Sequence, residues 1–151
     1  MESLIPIRAL VLYEKLSGDP KARECYHRAS DIFLKRRLYK RVKDGKVMDK
    51  DFTVLHYPCY WQYDILFGLK VMGEAGFLQD TRCADALDLL ESKRLPDGGF
   101  PAEGKYYQVT EKKVSGRSVY NWGGTSKKRM NEFVTIQALS VLKQAGRGEE
   151  I

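Results

Sequence analysis

Histidine, cysteine and tryptophan are scarce in this chain: two, three and two among 151 residues. No Cys-x-x-Cys pair occurs, and Cys25, Cys59 and Cys83 stand singly in helical patterns. An odd, scattered set of thiols argues against a disulfide framework and against a zinc site, and reads as small buried hydrophobes. With His27 and His56 the only histidines, neither a metal nor a cofactor is expected. The marks of several common chemistries are missing as well. There is no Walker loop, no GxGxxG turn, no GxSxG elbow and no HExxH helix. No run of about 18 apolar residues exists, so no membrane span is expected. Glu2 stands where a signal peptide would carry positive charge, and Arg8 and Glu14 interrupt the apolar N-terminal run, so the expected location is cytoplasmic.

What the chain contains is ordinary for a globular protein: 43% hydrophobic and 30% charged residues. At this length the expectation is one domain, residues 1–151, burying roughly 68 to 70% of the surface its unfolded chain would expose. The net charge is +6. Lys35, Arg36, Arg37, Lys40, Arg41, Lys43 and Lys46 form the densest basic run. Such a run either binds phosphate, in nucleic acid or a diphosphate ligand, or forms the solvated end of an outer helix. The second is the commoner outcome at so modest a charge, and no nucleic-acid partner is expected.

The chain is organised around residues 56–78, HYPCYWQYDILFGLKVMGEAGFL. Pro58 suits the first position of a helix, where its missing N–H would be unbonded anyway, and Gly76 suits the end. Between them Gln62, Asp64, Lys70 and Glu74 are the main polar interruptions. The pattern predicts a helix from Pro58 to Gly76, apolar almost all round and therefore buried on several sides. Ile5 to Leu16, again with little polar face, reads as a first helix ended by Ser17-Gly18. Asp19-Pro20 opens an amphipathic helix running to about Tyr39. Asp80 caps a second amphipathic helix, Thr81 to about Arg94, stopped by Pro96-Asp97-Gly98-Gly99. The last helix runs from about Asn131 to Ala145 and ends at Gly146. The connection from Pro96 to Arg129 is long for a compact domain and is either functional or mobile. Tyr107-Gln108-Val109 within it suggests a short strand or hairpin.

These segments repeat. Ala29-Ser30-Asp31 with Arg36-Arg37-Leu38 matches Ala86-Leu87-Asp88 with Lys93-Arg94-Leu95 at one offset. Ile7-Arg8-Ala9-Leu10, Leu66-Phe67-Gly68-Leu69 and Ile136-Gln137-Ala138-Leu139 occupy a second common position. The order is buried, amphipathic, buried, amphipathic, buried, which an inner row of helices covered by an outer row requires.

Ala86-Leu87-Asp88-Leu89-Leu90, leading through Lys93-Arg94-Leu95 into Pro96-Asp97-Gly98-Gly99-Phe100, resembles the repeat of terpene cyclases such as squalene-hopene cyclase and of the protein prenyltransferases. That repeat is a helix followed by a Gln-x-x-Asp-Gly-Gly-Trp turn; here Ser92 or Lys93 stands near the Gln and Phe100 replaces the Trp. The resemblance covers about residues 19–146 and implies an α/α toroid. Five helices with one long loop make only part of a ring. The expected fold is therefore all-α, a partial α/α toroid, either a fragment of a larger ring or one completed by self-association. The Asp-x-Asp-Asp proton donor of the cyclases is absent. The prenyltransferases' zinc stretch would need an Asp two residues before Cys59, where Tyr57 stands.

Asp64 is the one acidic catalytic candidate of the central segment. On a helix it would share a face with Tyr57, Tyr60 and Trp61. Two roles are open to it. A buried carboxylate among aromatic rings would have a raised pKa and act as an acid while the π-faces steady a cation. Alternatively it bonds a helix N-terminus or a Tyr hydroxyl, and the aromatics are core. Trp122, from the long connection, joins Tyr57, Tyr60 and Trp61 as candidate ligand-binding residues. Two functions of different class follow. One is a terpenoid-cyclase- or prenyltransferase-like domain holding an apolar or isoprenoid-like small molecule. The other is a non-catalytic helical scaffold that binds a partner or oligomerises through its open ends.

Overall fold

Seven of the ten residues of α3, Ile65–Glu74, are buried: Ile65, Leu66, Phe67, Gly68, Leu69, Val71 and Met72. A run this apolar offers no face to water and must be enclosed. In the computed structural model, which describes residues 4–60, 62–112 and 117–148, three other helices pack against it. α1 (Leu4–Ser17), α4 (Ala84–Glu91) and α5 (Glu132–Gln144) all touch α3, and α2 (Pro20–Lys35) packs along α1. The fold class is all-α, as the periodicity predicts. Short 3-10 turns lie at Lys50–Thr53 and Thr81–Cys83. A two-residue strand β1 (Gln108–Val109) pairs in parallel with β2 (Arg117–Ser118), so the Tyr107-Gln108-Val109 alternation marks a strand but not a hairpin. No helix among the described residues is long and apolar enough to cross a membrane.

Helix ends follow the punctuation of the sequence. Asp19 accepts the Lys21 N–H with Pro20 at the first position, and Asp80 accepts the Arg82 N–H. Past α3 and α5 the chain turns left-handed at Gly76 (φ 83°) and Gly146 (φ 71°). There Phe77 N–H reaches back to Met72 C=O at 2.8 Å and Arg147 N–H to Leu142 C=O at 2.9 Å.

Several boundaries differ from the sequence reading. α3 begins at Ile65 and not at Pro58. The Tyr57–Pro58 peptide is cis, residues 56–60 and 62–64 are irregular, and Asp64 is the N-cap. Pro58 tolerates a helix start, whereas the Asp64 carboxylate satisfies an otherwise unbonded N–H, and the second effect decides. α2 stops at Lys35, short of Tyr39, because Arg37 and Leu38 take positive φ (44° and 69°). Leu38 N–H bonds Phe33 C=O at 2.9 Å, and the reversal sends Leu38 and Tyr39 into the core. The Tyr63 hydroxyl donates to the carbonyl of Leu38 at 2.7 Å. α4 is shorter than Thr81 to Arg94, starting at Ala84 after the 3-10 turn and stopping at Glu91 before the Leu95–Gly99 turn.

α2 and α4 are amphipathic as expected, but of the three helices expected to be buried only α3 is enclosed on all sides. α1 buries Leu4, Ile7 and Val11 but exposes Ile5, Leu12, Tyr13 and Leu16, the last by 81%. α5 buries Val134, Ala138, Val141 and Leu142 but exposes Ile136 and Leu139. Both have one apolar side turned toward α3 and one turned away.

Four members of the basic run pair with carboxylates of α2, α4 and the turn after α2. Lys35 pairs with Asp31 at 2.7 Å, Arg41 with Asp44 at 3.2 Å, and Arg37 and Lys40 meet Asp85 at 3.1 and 2.5 Å. Arg82 bridges Asp31 and Asp80, both at 2.7 Å. Hydrogen bonding holds three carboxyls below their ordinary range: Lys40 lowers Asp85, Arg82 lowers Asp80, and Lys35 followed by Arg82 lowers Asp31.

Carboxyls with a lowered folded pKa add stability above the unfolded value, about 3.9 for Asp, and lose it as pH falls through the folded value. Urea midpoints measured from pH 7 to pH 3 are expected to fall at the acid end, and less so in Asp85→Asn. A second expectation concerns α3. A Cβ on Gly68 would collide with the Tyr63 hydroxyl and ring. Gly68→Ala should cost about 1 to 3 kcal/mol in thermal unfolding, part of it recovered by adding Tyr63→Phe, which removes the colliding oxygen.

Candidate functional site

The irregular segment before α3 is pinned at both ends. At its start the Leu55 N–H donates to Glu103 Oε2 at 2.9 Å, and the Leu55 carbonyl accepts from Glu103 N–H at 2.7 Å and Gly104 N–H at 3.2 Å. Glu103 also pairs with Lys93 at 2.6 Å, which ties this strand-like contact to the end of α4. At the other end lies Asp64, fully buried. Its Oδ1 accepts the Phe67 N–H at 2.8 Å, and its Oδ2 accepts the His56 N–H at 3.1 Å. Asp64 thus closes residues 56–64 into a loop seated on the N-terminus of α3.

Asp64 therefore does not share a helical face with Tyr57 and Tyr60, which precede α3. Trp61 itself lies outside the described residues. Of the two roles open to Asp64, the geometry matches the bond to a helix N-terminus. Its second partner is His56, 2% exposed, whose Nδ1 stands 3.2 Å from Oδ2 and 3.1 Å from the Val54 carbonyl. Burial acts to lower the His56 pKa, but the hydrogen bond and charge of Asp64, with the carbonyls of Val54 and Gln62, outweigh it and the net direction is up. The Tyr106 ring meets the imidazole edge-on at 4.8 Å. The Cys59 thiol points at the His56 carbonyl at 3.8 Å, and burial, helped by the Asp64 charge, pushes its pKa well above the usual range. A thiol so placed stays protonated near neutral pH.

Above this loop an aromatic cluster assembles from three parts of the chain. Tyr57 stacks on Phe133 of α5, centroids 4.9 Å apart and planes 8° from parallel. Trp122 stands edge-on to both, at 5.4 Å from Tyr57 and 5.3 Å from Phe133. Its indole N–H donates to the Tyr60 hydroxyl at 3.1 Å, and its backbone N–H to the Tyr107 hydroxyl at 3.1 Å. Tyr120 tilts against Trp122 at 5.7 Å, and Lys105 Nζ lies 5.5 Å over the Tyr107 ring. Asn131 fastens the cluster to α5. Its Oδ1 caps the helix through the N–H groups of Phe133 and Val134, both at 3.1 Å, while its Nδ2 donates to the Trp122 carbonyl at 2.9 Å.

Tyr57, Tyr60 and Trp122, singled out by residue type, do come together, though through Phe133 and the long connection and not along one helix. Phe133 lies inside the last predicted helix and Tyr107 in the predicted strand, and neither position by itself points to the cluster. Glu103 carries no local signal, since its partners Leu55 and Lys93 lie elsewhere in the chain, and Asn131 signals its cap but not its tether to Trp122. Chemically the cluster offers π-faces with hydroxyl-bearing edges, and Tyr60 remains 46% exposed. Such surfaces hold apolar chains by area and cations by the ring quadrupole.

No family model, curated protein or solved structure matches this chain.

The double duty of Asn131 separates two substitutions. Asn131→Ala should lose the cap as well as the Trp122 tether and cost about 1 to 2 kcal/mol in urea unfolding. Asn131→Asp keeps a capping oxygen and loses the Nδ2 donor. Its stability should stay near that of the parent while its tryptophan emission shifts to the red.

Proposed function

We propose that this chain is a terpenoid-cyclase- or prenyltransferase-like helical domain, one arc of an α/α toroid, that binds an apolar, isoprenoid-like small molecule against Tyr57, Tyr60, Trp122 and Phe133. One observation carries this reading: three separated segments spend hydrogen bonds on Trp122 and Tyr60 to hold aromatic rings together where Tyr60 and Tyr120 stay open to solvent. A cluster serving only as core would be covered. The contacts of α3 with α1 on one hand and α5 on the other, with α2 packed along α1, are compatible with inner and outer rows. The buried Phe100 after the Asp97-Gly98-Gly99 turn supports the same family likeness.

Magnitudes narrow the ligand. Covering about 200 Å² of aromatic surface yields roughly 5 kcal/mol at about 25 cal/mol per Å², which barely meets an association cost of about 4 kcal/mol or more. A single isoprene unit is too small; a chain of several units is required. Asp64 in this reading is a positioning residue, because its oxygens accept backbone N–H groups.

A second reading, a scaffold that self-associates, is favoured by the flank of α1. Ile5, Arg8, Val11, Leu12, Lys15 and Glu74 line an open groove of about 410 Å³ there, with Leu16 exposed nearby.

The binding reading is tested by titrating farnesol and geranylgeraniol into the protein carrying Trp61→Phe, so that emission reports Trp122. Saturable quenching is expected, weakened at least tenfold, about 1.4 kcal/mol, by Tyr57→Ala. Absence of saturation with every isoprenoid, together with a dimer in light scattering that Leu12→Glu dissociates, would replace it with the scaffold reading.

A further inference from the structure

We propose that His56, Cys59 and Asp64 form a site for one divalent transition-metal ion of zinc-like preference. An imidazole nitrogen, the Cys59 Sγ and a carboxylate oxygen all lie within 4.8 Å of one another. All three belong to the loop that Glu103 and the start of α3 hold at its two ends. The donor set of one nitrogen, one thiolate and one oxygen suits a borderline-soft ion and is foreign to calcium or magnesium, which take oxygen ligands. Nothing in this depends on the aromatic cluster binding a ligand.

The spacing fits. His56 Nδ1 and Asp64 Oδ2 are 3.2 Å apart. Two ligands at about 2.0 to 2.1 Å from a tetrahedral zinc ion are separated by roughly 3.3 Å, and a shift of about 1 Å brings a thiolate to its bond length of about 2.3 Å. Three protein ligands leave the fourth position for water, the pattern of an open site.

A second observation points the same way. Among the described residues, Nε2 of His56 is buried without a partner in hydrogen-bond geometry, while two acceptors, the Val54 carbonyl and Asp64 Oδ2, crowd Nδ1. An ion on Nδ1 moves the proton of the neutral ring to Nε2, turning a bare buried lone pair into a donor with the Gln62 carbonyl near the ring. Cys59 ligates as the thiolate, so its proton leaves to solvent on binding. The order His-x-x-Cys-x-x-x-x-Asp matches none of the common zinc spacings, which is why the sequence carries no sign of the site.

The full chain, stripped with a chelator, is titrated with cobalt(II). One equivalent should bind with a thiolate-to-cobalt charge-transfer band in the near ultraviolet, and zinc should displace it. Cys59→Ser should abolish the band and Cys25→Ser keep it. Zinc should raise the melting temperature of the parent and of Cys25→Ser, but not of Cys59→Ser. Cobalt binding without the band, a band that survives Cys59→Ser, or an equal zinc-induced rise in Cys59→Ser each overturns the site. The parent titration alone decides if Cys59→Ser does not fold, since a missing band or more than one tight equivalent also overturns it.

Discussion

One buried carboxylate joins the central helix to the segment that carries the aromatic rings. Asp64 accepts the Phe67 N–H with one oxygen and the His56 N–H with the other, and it is wholly enclosed. Orphan N–H groups at a helix start and at a buried loop both need an acceptor, and an unpaired one costs about 1 to 3 kcal/mol. A single side chain serves both needs, so the direction of α3 and the path of residues 56–64 are set together. Everything that follows in the loop, including Tyr57 and Tyr60, inherits its place from that pair of bonds.

The same economy recurs at the other end of the site. Asn131 caps α5 with its oxygen and tethers Trp122 with its nitrogen, and Glu103 accepts from Leu55 while it pairs with Lys93. Three polar side chains thus convert helix ends, which are rigid, into anchors for irregular chain, which is not. That is how a long connection without much regular structure can present Trp122 edge-on to Tyr57 and Phe133 at about the distance of ordinary ring packing. The apolar flanks of α1 and α5, by contrast, stay exposed at Leu12, Leu16, Ile136 and Leu139.

The middle of each helix was legible because apolar period survives any detail of packing. The run from Ile65 to Met72 could not be amphipathic, and it is buried. Ends were legible where glycine or a capping residue stood alone, as at Asp19 and Gly146. They were not legible where two start signals competed, as Pro58 and Asp64 did, or where non-glycine residues took a left-handed turn, as Arg37 and Leu38 do with Tyr63 supporting them. The aromatic residues were legible as a type and not as an arrangement, since Tyr57 finds Phe133 only through tertiary contact. The basic run looked uniform in sequence, yet Lys35 and Arg41 pair locally with Asp31 and Asp44 while Arg37 and Lys40 reach the distant Asp85, which no local pattern announces.

The most direct measurement is hydrogen exchange in Asp64→Ala beside its global stability. The amides of His56 and Phe67, both donors to Asp64, are expected to lose protection together, the tryptophan emission to change with them, and unfolding to cost about 3 kcal/mol less than in the parent. Lost protection at Phe67 alone, with the His56 amide and the tryptophan emission unchanged, would contradict the central place given to this carboxylate.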